Sequence, residues 1–478
     1  MSQENLSSSE MPGAITPTYN MAFIWRICLV AAMGGLLFGY DWVVIGGAKP
    51  FYEPFFNITD DTPFIRGWAQ SSALVGCMFG ALLCGILTDS LGRKKLLIFS
   101  GLLFTVSAIG TGLANEFMTF NIFRIIGGLG IGLASNLSPM YIAEISPAKM
   151  RGKFVSINQL TIVIGILLAQ IVNLCIARPV PENATAEFIN QSWNGQYGWR
   201  WMFEAETVFA LSFFVLMFFM PESPRWLIKY GKNELAQKTL AKIGGDDYAK
   251  AEVADIKNTL AGKEIARVNF RDLMEPRLFK IICLGVFLAV FQQWCGINVI
   301  FNYAQEVFSS AGFGVSATLF NIVITGIVNL VFTFVAIYTV DKIGRKPLML
   351  AGSIGLAGVY AILGTGYYLN STGIHMLVLI VLAIACYSMT LAPIVWVIIA
   401  EIFPNRIRGA AMSIAVISLW IGCTALTLTF PYLKKALGAH GTFWLYGFVC
   451  VIGFIVILTR LPETKGKSLE NIERELVD

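Results

Sequence analysis

Long apolar runs alternate with short polar segments along almost the whole chain. Each run is close to the length of about 20 residues that a helix needs to cross a bilayer. The twelve runs cover residues 22–48, 64–88, 96–114, 117–141, 155–177, 200–220, 277–304, 314–340, 347–368, 374–402, 409–432 and 440–461. This pattern predicts an all-α membrane protein with twelve transmembrane helices, which we call the first to twelfth spans.

The polar segments between these runs predict the domain boundaries. We expect a disordered cytoplasmic tail, an N-terminal six-helix bundle, a cytoplasmic helical linker of mixed charge, a C-terminal six-helix bundle and a second cytoplasmic tail. They correspond to residues 1–21, 22–221, 222–276, 277–461 and 462–478. Lysine and arginine concentrate in the loops on one side of the predicted spans, for example at residues 93–95 and 342–346. By the positive-inside rule, both termini and the linker should be cytoplasmic.

Composition supports a membrane protein and excludes several other classes. Of the 478 residues, 56% are hydrophobic and 14% are charged, whereas soluble domains have about 25% charged residues. The net charge of +5 forms no compact basic domain, so we expect no nucleic-acid partner. The nine cysteines contain no CxxC pair and the two histidines fall in loops, so we expect no metal and no enzyme active site. The chain has no Walker A sequence, and we expect no cofactor.

Charged motifs of the first half recur in the same order in the second half. Two halves of the same direction predict two bundles around a pseudo-twofold axis along the membrane normal, which is a transporter plan with the site between the halves. We expect the charged members to form cytoplasmic ion pairs that hold the halves together when the site faces outward. The alternative is ordinary positive-inside charge. These residues are Asp89, Arg93, Glu144 and Arg151 in the first half, and Asp341, Arg345, Glu401 and Arg408 in the second.

One carboxylate lies near the middle of the first span. An acid at the centre of a membrane helix costs about 2.5–3.5 kcal/mol on insertion scales, and it is usually retained for a function. Asp41 is therefore a candidate proton carrier, and Arg124, early in the fourth span, is its candidate partner. The alternative is a static ion pair that only holds helices together.

Several motifs, taken in order, resemble the sugar porter family of the major facilitator superfamily. The resemblance covers the chain after the N-terminal tail, and it is greatest to bacterial xylose-type sugar/proton symporters. It implies the major facilitator fold and a proton-coupling role for Asp41 and Arg124. The motifs are Gly85-x3-Asp89-x2-Gly92-Arg93-Lys94, Arg151-Gly152, Pro221-Glu222-Ser223, Gln292-Gln293-x2-Gly296-Ile297-Asn298 and Pro462-Glu463-Thr464.

The predicted substrate site combines amides, which donate and accept hydrogen bonds, with aromatic rings for the C–H faces of a sugar. Gly296 would allow a kink that presents amides from both sides of it to one cavity. By resemblance, seven of the nine candidate residues contact sugar. The two exceptions are Asn302, where relatives usually have Tyr, and Phe38, which we place in the cavity lining. Leu419 stands where xylose-type relatives usually have an amide, and Ile166 stands where they often have one. The identity of the sugar therefore stays open. The candidates are Phe38, Gln159, Gln292, Gln293, Asn298, Asn302, Asn329, Trp396 and Trp420.

Together these features predict proton-coupled symport of a monosaccharide, pentose or hexose, by alternating access. The expected partners are the sugar, the proton and the lipid bilayer, and we expect a monomer in the cell membrane, in particular a bacterial inner membrane. A sugar uniporter on the same fold is the main alternative, with Asp41 structural. A transporter-like sugar sensor is less favoured because the tails are too short for a signalling domain.

Overall fold

The computed structural model describes residues 18–182, 184–261, 274–404 and 407–465. Within these ranges the side chains of Lys149, Leu260, Ala261, Asp341, Ala400 and Arg408 are not described. The predictions for most of both tails, and for residues 262–273 of the linker, lie outside the described residues. All regular elements in the described ranges are helical.

The first half contains six long apolar helical spans. The first five are the helices Met21–Phe55, Pro63–Leu91, Arg93–Gly112, Phe117–Ile145 and Arg151–Ile176. The sixth, residues 194–218, consists of a π-helical turn at Asn194–Gly198 and the helices Trp199–Glu204 and Glu206–Phe218. A short helix, Ala186–Gln191, lies in the loop that precedes it.

The second half repeats this plan with more interruptions. The seventh span comprises Pro276–Trp294 and Ile297–Asn302 and is followed by the helix Ala304–Ser310. The eighth to tenth spans are Val315–Ile343, Arg345–Tyr368, and the pair Ile374–Met389 and Leu391–Ile402. The last helical tract, Arg408–Arg460, is divided at Gly438, whose φ of +68° turns the chain back and separates the eleventh span from the twelfth. The predicted twelve-helix, all-α architecture is thereby confirmed.

Glycine allows the second and fourth spans to pack backbone against backbone. A Cβ added at Gly128 would lie 2.9 Å from the Cα of Gly76, and one at Gly132 would lie 2.8 Å from the Cα of Gly80. Such an approach is possible only for residues without a side chain. This contact fixes the fourth span, which carries Arg124, inside the first half.

A polar segment adjoins the end of the bundles from which the third and ninth spans begin. It is the linker, with helices Pro224–Lys229 and Asn233–Ala261, the latter bent at Gly245. The backbone amide of Asn20 donates to the Ile243 carbonyl at 2.8 Å, so the start of the first span is attached to the linker. We call this end of the molecule the linker side and the opposite end the distal side.

A carboxylate caps the third span and its counterpart caps the ninth. Glu222 accepts hydrogen bonds from the backbone amides of Arg93 at 3.0 Å and Lys94 at 3.1 Å. Glu463 accepts from the amides of Arg345 and Lys346, each at 3.1 Å. Because the first amides of a helix have no partner within the helix, these side chains satisfy them. The recurring Pro-Glu-Ser/Thr motif is therefore a pair of helix caps.

Candidate functional site

Several contacts between the two halves lie on the distal side. Lys49 of the first span forms an ion pair with Glu306, which follows the seventh span. The Val180 amide donates to Ser316 Oγ at 2.9 Å. A Cβ added at Gly67 would lie 2.5 Å from the Leu428 carbonyl oxygen, so the second and eleventh spans meet there without an intervening side chain.

Three positions near the linker side are uncovered. Among the described residues, no atom of another element lies within 4 Å of a Cβ added at Gly85 or Gly152. Trp396, near the linker end of the tenth span, is 37% exposed. The contacts described above therefore join the halves on the distal side, whereas these three positions on the linker side have no such cover.

Asp41 and Arg124 form a buried ion pair within the first half. Arg124 Nη1 donates to Asp41 Oδ1, and Nη2 donates to the Asp41 carbonyl at 3.2 Å. The two residues are 1% and 2% exposed. Asp41 Oδ2 and Arg124 Nε are buried without a hydrogen-bond partner among the described residues. The predicted ion pair is therefore formed, and each partner keeps hydrogen-bonding capacity for a further group.

A second buried carboxylate, not predicted from the sequence, lies near this pair. Glu206 of the sixth span is 2% exposed and lies within electrostatic range of Asp41 and Arg124. Its Oε1 has no hydrogen-bond partner in the described part of the chain. The rule that singled out Asp41, an acid inside a predicted membrane helix, also applies to Glu206.

The seventh span presents a connected chain of amides. Asn298 Nδ2 donates to Gln293 Oε1 at 2.5 Å, and Gln293 Nε2 donates to Gln292 Oε1 at 3.3 Å. Gln292 Nε2 in turn reaches the carbonyls of Leu391 and Ala392, each at 3.1 Å, where the tenth span is broken.

The chain of amides exists because the helix is interrupted. Gly296 adopts φ +88°, a left-handed conformation that favours glycine. The helix continues in the same general direction after the interruption, but Asn298 is rotated so that its side-chain amide meets Gln293, five positions earlier. The predicted kink at Gly296 is present.

The other predicted amides lie on separate elements. Asn329 of the eighth span accepts a hydrogen bond from Ser388 Oγ at 2.6 Å. Asn302 ends the second helix of the seventh span and is 3% exposed. Gln159 of the fifth span is half-buried, and it is the one predicted amide from the first half.

Three aromatic rings from the two halves meet at one point. The centroids of Phe38 and Trp42 are 5.8 Å apart, those of Trp42 and Trp420 5.9 Å, and those of Phe38 and Trp420 6.1 Å. The indole Nε1 of Trp420 is buried without a partner in the described ranges. Trp42 was not predicted from the sequence, although it directly follows Asp41.

The predicted linker-side ion pairs join helices of the same half. Arg93 Nη2 lies 2.8 Å from Glu144 Oε1 and Arg93 Nη1 lies 3.8 Å from Asp89 Oδ1. In the second half, Arg345 Nη2 lies 3.6 Å from Glu401 Oε1.

The remaining members of this set do not extend that pattern. Arg151 is exposed, and the side chains of Asp341 and Arg408 lie outside what the structure describes. That these charges bridge the halves in an outward-facing state stays a prediction.

Known proteins resemble this chain along nearly its whole length. The family model "Sugar (and other) transporter" matches residues 27–476. The D-xylose-proton symporter of Escherichia coli (strain K12) is 40% identical over 485 aligned residues, which span 95% of this chain and 96% of the symporter. The arabinose-proton symporter of Bacillus subtilis (strain 168) is 39% identical over 461 residues, 96% of each chain.

A solved structure shows the same architecture. The inward-open conformation of the xylose transporter XylE from E. coli superposes with a TM-score of 0.82 at 38% sequence identity. The match covers 95% of this chain and 99% of that one.

Proposed function

This chain belongs to the sugar transporter family, and from that premise we propose that it moves a monosaccharide across a membrane together with a proton. The relatives described above include two named as proton symporters, one for D-xylose and one for arabinose. The substrate of this chain is accordingly a pentose or a hexose. The protein crosses the membrane several times and has the major facilitator fold.

The buried pair of Asp41 and Arg124 is the observation that carries proton coupling. Retaining a carboxylate at mid-span costs about 2.5–3.5 kcal/mol, and this one has a free oxygen atom beside its partner. Asp41 accepts the proton when it separates from Arg124, and it releases the proton when the pair re-forms. Arg124 thus provides a positive charge that competes with the proton for the carboxylate.

We assign sugar recognition to the predicted amides and to the rings of the two halves that meet around Trp420. Hydroxyl groups of the sugar exchange hydrogen bonds with the amides, and the unpaired Nε1 of Trp420 donates one. The rings of Phe38 and Trp420 pack on the C–H faces. Gln292, Gln293 and Asn298 are connected before sugar arrives, so binding reorganises a network that already exists. The proposed contacts are completed by Gln159, Asn302, Asn329 and Trp396.

Alternating access requires that the two halves close one side while they open the other. In the described state the distal side is closed. We place the linker side, with both termini, in the cytoplasm because its loops are rich in lysine and arginine, so a state that is closed on the distal side faces inward. Asp89, Arg93, Glu144, Arg151, Asp341, Arg345, Glu401 and Arg408 form the set that closes this side in the opposite state. One chain contains a complete pathway, and we propose a monomer in a lipid bilayer, the inner membrane of a bacterium.

The test is uptake of labelled xylose, arabinose, glucose and galactose into proteoliposomes, with and without an inward proton gradient. Wild type should accumulate one sugar against its concentration gradient. A potential of 100 mV acting on one charge provides about 2.3 kcal/mol, which supports about 50-fold accumulation. Asp41→Asn should abolish accumulation but retain sugar exchange, because the sugar site is intact while the proton carrier is lost.

Asp61→Asn is the matched control, since Asp61 is an exposed carboxylate outside the site, and it should behave as wild type. A sugar uniporter would instead equilibrate the sugar with or without the gradient, and Asp41→Asn would match wild type. If none of the four sugars moves, the proposed substrate class is wrong.

A further inference from the structure

A lysine without an assigned role is buried at the distal end of the first span. Lys49 is 1% exposed, and its ammonium group forms an ion pair with Glu306 across the boundary between the halves. A second carboxylate, Glu53, lies 3.5 Å away on the same helix. The ammonium group also lies 4.3 Å from the centroid of the Tyr303 ring.

Further charged groups surround this pair on the neighbouring elements. Arg66 of the second span lies 3.1 Å from Glu53 Oε1 and pairs with Asp60 of the preceding loop. The charge of Lys434, at the distal end of the eleventh span, also acts on Lys49. The direct link between Lys49 and Glu306 is therefore one bond in a network that includes three spans.

Lys49 contacts the segment that continues the predicted sugar site. Residues 297–310 comprise the end of the seventh span and the helix that follows it, and we call them the distal segment of the seventh span. They carry Asn298 and Asn302 and then Tyr303 and Glu306. The helix interruption at Gly296 separates this segment from the first part of the span. Tyr303 additionally donates to the Thr427 carbonyl of the eleventh span at 2.7 Å.

Lys49 and Asp41 belong to one continuous helix. Lys49 lies eight residues after Asp41, about 12 Å along a helix that rises 1.5 Å per residue. A movement of the first span that follows protonation of Asp41 is therefore transmitted to Lys49. From there it reaches the amide-bearing segment through the ion pair with Glu306.

We propose that Lys49 is a positioning residue, which connects the proton-carrying helix to the sugar-binding distal segment by clamping the two together whenever the distal side is closed. This inference rests on the proposed function. Opening the distal side separates the first span from the distal segment, so the ion pair must break. Because breaking a buried pair leaves an uncompensated charge, the pair favours the distal-closed state and opposes its opening.

The test compares three variants with a matched control. Lys49→Met removes the charge and keeps the length of the side chain, Glu306→Gln removes the partner, and the third variant combines both. Lys435→Met is the control, because Lys435 also pairs across the halves on the distal side, 3.6 Å from Asp61. Both side chains of that pair are exposed.

The first measurement is amide hydrogen exchange of the sugar-free protein. Lys49→Met and Glu306→Gln should each increase exchange in residues 297–310 by about fivefold or more, the lower end of coupling between sites, and leave the ninth span protected. Lys435→Met should match wild type. General loss of stability would instead raise exchange in the ninth span as well, and that result would overturn the proposal.

The second measurement separates affinity from turnover. Loss of the clamp populates the distal-open state, so the KM for sugar supplied from the distal side should fall about fivefold, while kcat for proton-driven uptake also falls. The double variant should be no worse than Lys49→Met alone, since both changes remove one bond. Kinetics equal to those of Lys435→Met would refute the role. A wild type that moves no sugar would contradict the proposed function, and the exchange measurement would still decide whether the clamp exists.

Discussion

Trp42 places a third ring between the halves, directly beside Asp41, the proposed proton carrier. Its ring contacts Phe38 on its own helix and Trp420 on the eleventh span. We therefore predict that Trp42 contributes to sugar binding as well as to the contact between the halves.

Replacing Trp42 with alanine should weaken sugar binding. Trp42→Ala removes two ring contacts, and aromatic contacts of this kind contribute about 0.5–1.5 kcal/mol, which corresponds to about 2- to 12-fold in affinity. Equilibrium binding of labelled sugar to purified protein measures the change. Trp201→Ala is the control, because Trp201 is an exposed tryptophan on the sixth span. Equal affinity in the two variants would show that Trp42 lies outside the sugar site.

Residues of the candidate site were predictable from the sequence where placing them inside a membrane helix has an unusual free-energy cost. Asp41 and Arg124 stood out because charge inside a membrane helix is expensive, and the structure places them in contact. Trp42 carried no such signal, since one aromatic residue among many in apolar spans does not show which helix it faces. Lys49 was missed because the apolar run ends before it, although the helix continues to Phe55. Partners supplied by other spans make that continuation possible, and the sequence of one span does not reveal them.

Among the helical elements, the caps supplied by Glu222 and Glu463 explain a repeated motif. The sequence showed that Pro-Glu-Ser and Pro-Glu-Thr recur at equivalent positions, but not what each motif contacts. Each glutamate reaches a helix that begins more than a hundred residues earlier. Long-range capping of this kind leaves no local pattern, whereas the spans themselves were predicted from hydropathy alone.

The Glu463 cap predicts a pH-dependent contribution to stability. Burial raises the pKa of the Glu463 carboxyl, but hydrogen bonds from the backbone amides of Lys465, Arg345, Lys346 and Thr464 outweigh it, and the net pKa is lowered from 4.5. Because the folded pKa is the lower one, the stabilisation is complete above the unfolded value and is lost as the pH falls through the folded value.

Glu463→Gln should therefore lower the Tm at pH 7 and weaken its dependence on pH below about 4.5, the unfolded value. The expected loss is about 0.3–1 kcal/mol, as for a charge at a helix terminus. Thermal unfolding in detergent from about pH 3 to 7, the range in which carboxylates titrate, measures the loss of stability. Glu182→Gln is the control, since Glu182 is exposed in a turn and lies at no helix terminus. Equal losses in both variants would contradict the cap.

For the whole molecule, the internal repeat predicted two bundles, but it did not predict which side of the site is closed. That preference arises from contacts between halves, such as the approach of Gly46 to the distal segment of the seventh span. A Cβ added at Gly46 would lie 2.5 Å from the Phe301 carbonyl oxygen, so the closed state requires glycine there.

Gly46→Leu should trap the distal side open. Overpacking costs about 1–3 kcal/mol, which shifts the ratio of open to closed states about 5- to 150-fold. Binding of sugar from the distal side should persist while net uptake falls by a comparable factor. Gly358→Leu is the control, because nothing lies within 4 Å of a Cβ added at Gly358. Normal uptake by Gly46→Leu would show that the first span does not need this approach.

The pair proposed to carry the proton and the connected amides belong to different halves. Asp41 and Arg124 lie in the first half, whereas Gln292, Gln293 and Asn298 lie in the second. The two chemistries can therefore diverge separately during evolution. We expect that mutations in the second half can alter which sugar is carried while the proposed proton-coupling pair of the first half is inherited unchanged, provided that the boundary between them is kept. A chimera that joins this first half to the second half of a relative should consequently keep its dependence on protons and shift its sugar preference toward that of the donor, with Phe38, Trp42 and Gln159 still contributed by this chain.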